Sequence, residues 1–596
     1  MIADLPFTLA ALRQAYASGL RPEQVVEEAF RRLDATGDPG ILIYTARDEA
    51  LAAAGELGAY DGRPLWGIPY IAKDNIDVMG MPTTAACPDF AYDALSDAFV
   101  VAQLRAAGAI CLGKANLDQF ATGLVGARSP YPVPLNAIDP AIVPGGSSSG
   151  SAVAVAHGIA SFSLGTDTAG SGRVPAALNS IVGLKPTLGT LSATGVVPAC
   201  RTLDTISIFA LNVSDAWDVF DVAAQFDAVD AYSRNFVKKG GLSKALPLRI
   251  AVPDARTLET FGDDSQRDHF HGDVARLAAL GCEITEIDFT PFYDVASMLY
   301  QGAWLAERVA AVGSRLTEKP ETLHRTTRAI LEPGLDLTAV DAFNGFYRLK
   351  ALQRQCENAL TGIDAICVPT IPHFVTVNDI AADPIGPNAR LGTYTNFVNL
   401  LDMCGIAVPT GPRKDGRPGS LTILAGKGED AKVASLAALL EAGDVGATGW
   451  TRDEIRYSEP AIGDDEIGLV VCGAHMSGLP LNGELTGRAA RLIRKTRTAA
   501  KYSFYALAGG PPKRPGMLVN TDTGGSIEVE VWAVPKSAIG SFLAGIPSPL
   551  CLGTVELEDG SRQKGFLCEA AGLDGATDIT ELSSWRTYLE KMGKTG

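Results

Sequence analysis

Three stretches of this chain carry residue types suited to nucleophilic chemistry. Lys73 is the only basic residue of "PLWGIPYIAKDNIDV" (64–78) and sits in an apolar setting. Adjacent serines lie in "PGGSSSGSA" (144–152), and Ser171 closes "TDTAGS" within "GTDTAGSGRVPAALNSIVGLKPT" (165–187). A seryl hydroxyl becomes a nucleophile only when a base takes its proton. Lys73, flanked by Ile71 and Ala72, has two fates. Its stem can cover apolar surface with the head in water. Alternatively it is buried, and desolvation lowers its pKa until the amine is a usable base. In the second case two hydroxyls and one amine form a Ser-Ser-Lys relay that needs no histidine.

The serine-rich loop admits other readings. A Gly-Ser linker is excluded by the adjoining run "AVAVAHGIASFSLGT", whose Ala and Val suit burial. A phosphate cradle would follow GxxxxGK[ST]; the nearest match, "GAICLGK" (108–114), ends in Ala115 and reads as a strand. Gly146-Ser147-Ser148-Ser149-Gly150 satisfies GxSxG, which would make Ser148 an esterase nucleophile. That mechanism needs a histidine, and none of His269, His271, His324 and His373 stands in a recognisable context.

The elements that must hold these residues alternate between helix and strand. "PEQVVEEAFRRLD" (22–34) reads as a helix with Val25, Val26, Ala29, Phe30 and Leu33 on one face. Pairs Glu27–Arg31 and Glu28–Arg32 are spaced to interact on the other face. Segments 97–116 and 272–289 each read as a helix, a Gly stop at Gly108 or Gly281, and a short apolar strand. This is an α/β pattern with a parallel or mixed sheet. Near residue 445 the texture changes, and after a polar stretch short strands crowd together, with "EDG" (558–560) as a hairpin turn. A helix over 583–592 closes the chain. The expected organisation is an α/β domain over 1–445, a linker over 446–465 and a small β-rich domain over 466–596.

Composition bounds the partners. A net charge of −17, from 51 basic and 68 acidic residues, argues against nucleic acid, which needs clustered Lys and Arg. Ten scattered cysteines without a CxxC pair read as buried free thiols in a reducing compartment, not as zinc ligands. The N-terminus lacks the pattern of a secretory signal, and the uncharged run 140–166 is too rich in Ser and Gly for a membrane span. A cytoplasmic protein without metal is expected.

Taken together, "GIPYIAKDNIDV", "PGGSSSGSAVAVAHG", "GTDTAGSGRVPA", "GLKPT", "DAICVPTIP" (364–372) and "TNFVNLLDMCGIAVPTG" (395–411) resemble the amidase signature family over residues 60–430. The resemblance implies a twisted mixed β-sheet covered by helices and a Ser–cis-Ser–Lys site. Lys73 would be the base, Ser147 the bridging serine and Ser171 the nucleophile. Ser147 and Ser171 lie 24 positions apart, as the family's two serines do, and that match implies Ser147 rather than Ser148 or Ser149. Backbone N–H groups of Thr168, Ala169, Gly170 and Ser171 would face the oxyanion.

The family cuts many amides, so the substrate must come from elsewhere. "SMLYQGAWLAERVAAVG" (297–313) reads as one helix that puts Tyr300 and Arg308 on about the same face. Read alone, Arg308 beside Glu307 is a solvated helix residue. The tail, with "VVCGAHMSGLPLNGEL" (470–485) and "IPSPLCLGTVELEDGSRQKGFLCEA" (546–570), resembles the C-terminal domain of allophanate hydrolases, with a γ-glutamyl cyclotransferase-like fold. That resemblance implies that Tyr300 and Arg308 grip allophanate, a urea bearing a carboxylate. It also implies that the tail decarboxylates the product, N-carboxycarbamate, with no cofactor. His475, the only histidine after residue 373, is the tail's candidate catalytic residue. The run holding Arg488, Arg491, Arg494, Lys495, Arg497 and Lys501 reads as a solvated helix face whose cations could hold a dianion. A homodimer and association with a urea-carboxylating enzyme are the expected assemblies. The competing expectation is a broad amidase, or a glutamine-amidotransferase-like subunit whose tail only binds a partner.

Overall fold

The computed structural model describes residues 2–235, 242–243, 248–442, 462–463 and 465–593. The chain forms two compact units, Met1–Val237 with Leu248–Tyr457, and Lys238–Pro247 with Ser458–Gly596. Apart from 462, 463 and 465, the expected linker over 446–465 lies outside the described residues. Leu242 and Ser243 group with the second unit: Leu242 O accepts from Arg491 Nη1 (2.9 Å), and Ser243 Oγ accepts from the Leu492 N–H (3.1 Å).

The first unit is built on eleven strands. They are β1 (Leu42–Thr45), β2 (Pro69–Lys73), β3 (Ile110–Ala115), β4 (Phe162–Asp167), β5 (Val182–Lys185), β6 (Thr205–Ala210), β7 (Arg249–Pro253), β8 (Glu283–Ile287), β9 (Ala365–Pro369), β10 (Met403–Pro412) and β11 (Pro418–Gly426). Their order is β1-β3-β2-β4-β6-β5-β10-β11-β9-β7-β8. Parallel pairs join β2 to β3 and β4, and β7 to β8 and β9; the remaining pairs are antiparallel. Strands β2 to β6 are buried along their whole length, as near-continuous apolar runs require when both faces are covered.

The helix read over 22–34 spans Pro22–Thr36 and buries Val25, Val26, Ala29 and Phe30. Of its expected ion pairs, Glu28–Arg32 forms (2.9 Å), although on the buried face, whereas Arg31 pairs with Glu28 (2.6 Å) and not with Glu27. The other helix–strand pairs are Phe99–Ala106 with β3 and Asp264–Ala279 with β8; Gly108 and Gly281 turn between them at φ of 93° and 95°. Of the ten cysteines, none is disulfide-bonded; nine are buried and Cys551 is half-buried. Among the described residues no helix is long and apolar enough to cross a membrane.

The second unit holds a five-stranded sheet with Leu469, Trp532 and Trp585 in its core, and a separate three-stranded sheet. The "EDG" turn joins antiparallel strands Leu550–Glu556 and Arg562–Cys568, and the last helix is Trp585–Gly593. The basic run departs from expectation. Arg491–Arg497 is a strand paired with Glu528–Pro535, since Leu492 and Ile493 enter the core and pairing satisfies the backbone there.

Candidate active site

Strand β2 delivers Lys73 to the middle of the sheet between β3 and β4, and the side chain is fully buried. Its Nζ lies 2.7 Å from Ser147 Oγ and 2.7 Å from Thr166 Oγ1. Burial lowers the Lys73 pKa to about 7, although Asp118, Asp204 and Asp167 oppose the shift. An ammonium is disfavoured there because full burial removes its hydration and no carboxylate pairs with it among the described residues. Lys114, equally buried on β3, is different: it has Asp74 at 3.2 Å and Thr83 Oγ1 at 2.8 Å.

The peptide bond Gly146–Ser147 is cis. Asp118 frames this turn. Its N–H donates to Ser147 O (3.0 Å), and its carboxylate accepts from the Gly126 (3.0 Å) and Arg128 (2.8 Å) N–H groups. A Cβ on Gly146 would lie 2.1 Å from Asp118 Oδ2, so only glycine fits. Ser148 Oγ bonds the backbone of Thr166 (3.2 and 3.3 Å) and Ser149 Oγ donates to Asn116 O (3.3 Å). These two hydroxyls tie the helix Ser149–Ala156 to its neighbours, and among the described residues Ser148 Oγ bonds the Thr166 backbone and no imidazole that could serve as an esterase base.

Ser171 follows β4 in a turn held by a buried ion pair that sequence reading missed. Arg173 meets Asp167 through two bonds, Nε to Oδ2 (2.9 Å) and Nη2 to Oδ1 (3.0 Å), both side chains fully buried. The Asp167 carboxylate also accepts from the N–H groups of Gly170 (2.8 Å) and Gly172 (3.1 Å). The Gly170 N–H is therefore engaged, whereas those of Thr168, Ala169 and Ser171 donate to no protein atom among the described residues. Ser171 Oγ lies 3.5 Å from Gly123 O. The "GTDTAGSGR" stretch carried the available signal, an acid and an arginine bracketing the turn.

Tyr300 and Arg308 come together: the guanidinium carbon lies 4.8 Å from the ring centroid. The helix expected over 297–313 is two helices, Thr290–Gln301 and Ala303–Val312, because Gly302 is extended at φ −142° and ψ −154°. The solvated reading of Arg308 is also overturned, since the residue is 1% exposed. Arg308 Nη1 donates to Thr122 Oγ1 at 3.5 Å; among the described residues Nε and Nη2 have no hydrogen-bond partner. That edge is the pair of parallel donors that fits a carboxylate. A cavity of about 590 Å³ reaches Tyr300, Leu124 and Asn396.

In the second unit, His475 stacks on Phe566 (5.2 Å, 13° between planes) and meets the edge of Phe542 (5.3 Å). Its Nε2 is 3.3 Å from Glu484 Oε2. Burial lowers its pKa against the opposing effect of Glu484, which keeps the imidazole neutral near pH 7.

Residues 24–434 match the amidase family, and residues 467–590 match the allophanate hydrolase C-terminal domain. The chain belongs to the amidase family. This amidase is similar to an allophanate hydrolase of Kluyveromyces lactis, with 38% identity and a TM-score of 0.82 over 99% of this chain and 100% of that one. It is 43% identical over 549 residues to a urea amidolyase of Saccharomyces cerevisiae. That match covers 89% of this chain but 30% of the relative, so the amidase spans less than a third of the curated urea amidolyases. A glutamyl-tRNA(Gln) amidotransferase subunit of Koribacter versatilis is 32% identical, over 72% of this chain and 95% of the relative. The mixed sheet with helices followed by a β-rich unit is the fold expected from sequence.

Proposed function

We propose that this amidase is an allophanate hydrolase. One observation carries the choice of substrate: the buried Arg308, packed on Tyr300, presents two unpaired donors. An unpaired buried guanidinium is costly unless an anion meets it, and allophanate brings a carboxylate. With that carboxylate held, the terminal amide faces the serine. Neutral Lys73 accepts the Ser147 proton as Ser147 accepts that of Ser171, and the Ser171 oxygen bonds to the carbonyl carbon. Backbone N–H groups of Thr168, Ala169 and Ser171 receive the oxyanion, with Gly170 a lesser donor. Collapse breaks the C–N bond, the relayed proton leaves with ammonia, and water releases N-carboxycarbamate from Ser171. The second unit, with His475, decarboxylates that product. The likeness to the Kluyveromyces lactis allophanate hydrolase over both units supports this division.

The setting is cytoplasmic nitrogen release from urea or s-triazines, with the enzyme as a homodimer. Association with a urea-carboxylating enzyme is supported by the urea amidolyase relative, of which this chain matches 30%. Ammonia release from allophanate, compared with urea, malonamate and glutamine, tests the function. Strong preference for allophanate is expected. Turnover of glutamine or simple amides alone would favour the amidotransferase-like reading.

A further inference from the structure

The second unit has two adjoining cavities, and one arginine borders both. The inner one, about 40 Å³, is lined by His475, Glu484, Phe542, Phe566 and Arg514. The outer one, about 380 Å³, is lined by residues 507–510 and shares Arg514, Pro547 and Leu550 with the inner. A water needs about 10–15 Å³ of such space, so the inner cavity holds a group of roughly three heavy atoms, the size of a carboxylate.

The cations expected from sequence to hold an anion here are committed elsewhere. Arg491 pairs with Glu466, Arg494 with Asp559, and Lys501 with Glu556. Arg497 bonds Ser526, and Lys495 is exposed on its strand. Arg488 bonds Ser541 and Glu484 O, and its guanidinium carbon lies 5.8 Å from the Phe542 ring centroid. Arg514 is different. It is half-buried, and its guanidinium makes no ion pair or hydrogen bond among the described residues. A half-buried cation with no such partner, bordering a cavity that holds Glu484 at 3.3 Å from His475 and another that holds Asp574, keeps its donors for an anion, and its planar fork suits a carboxylate.

We propose that Arg514 binds one carboxylate of a small dicarboxylate, the N-carboxycarbamate dianion, in the His475 cavity, with the outer cavity as its entrance. This rests on the reading that the second unit receives that product. The probe is malonate, in which a methylene replaces the NH. It is titrated calorimetrically into the full-length protein carrying Arg308→Gln, which removes the carboxylate grip of the first unit. One malonate is expected to bind, and adding Arg514→Gln should weaken it at least about tenfold, the worth of a charged hydrogen-bonded pair. Arg514→Lys, which keeps the charge but loses the fork, should fall between the two. Equal affinity with and without Arg514→Gln, or no malonate bound in the Arg308→Gln protein, overturns the proposal. Failure of the wild-type enzyme to release ammonia from allophanate would instead sink the proposed function and leave the malonate result standing.

Discussion

At the scale of single residues, Lys73 and Lys114 show what environment does to one side chain. Both are buried on neighbouring strands, but Lys114 has Asp74 at 3.2 Å, whereas Lys73 has only hydroxyls at 2.7 Å. Lys73 can therefore be neutral at working pH. Its base form exists above its pKa of about 7, so kcat/KM should rise as pH increases through about 7 and level off above it. A profile flat between pH 6 and 8 would remove Lys73 from the relay. Ser171→Ala should lower ammonia release at least about ten-thousand-fold, with Lys73→Ala nearly as severe. Near-wild-type turnover in Ser171→Ala would refute the assignment. Thr166 is a subtler case: its hydroxyl fixes which way the Lys73 lone pair points. Thr166→Val should cut kcat about tenfold to a hundredfold with KM little changed, a loss typical of a misplaced catalytic group.

At the scale of elements, the turn after β4 and the two helices around Gly302 set the distance between nucleophile and carboxylate grip. Asp167 and Arg173 pin that turn from inside the sheet. Arg173→Met leaves Asp167 buried and unpaired, which costs about 3–5 kcal/mol. A shifted midpoint in urea unfolding would show it. The helix Ala303–Val312 is tied to the loop before β6, where Glu307 accepts from the Thr202 N–H and hydroxyl, each at 2.7 Å. Glu307→Ala should loosen Arg308, raising KM for allophanate several-fold while kcat changes little. An unchanged KM would mean that the helix needs no such tie.

At the scale of the whole molecule, each unit has its own hydrophobic core, so damage to one should spare the chemistry of the other. Trp532 is fully buried at the centre of the second core. Trp532→Ala should cost about 3–5 kcal/mol in that unit. Carbon dioxide release from the intermediate should then fail at a lower temperature than ammonia release. Loss of both at the same temperature would show that the units depend on each other.

What the sequence determined by itself was whatever is local. The small-residue turns, the alternation of helix and strand, and the spacing of Ser147 and Ser171 are written in consecutive residues, and the family's motifs overlie them. The break at Gly302 was hidden because a glycine inside an apolar periodic run reads as tolerated. The strand Arg491–Arg497 reads as a helix face because Arg488, Arg491, Arg494 and Lys495 recur at three- to four-residue steps; pairing with Glu528–Pro535 makes it a strand. Only the tertiary structure decided the charge states. Whether Lys73 snorkels or is desolvated, whether Arg308 is solvated or buried, and which arginine of the second unit lacks a partner depend on residues far away in the chain. Coulomb and solvation energies follow distance in space, and the fold alone sets that distance.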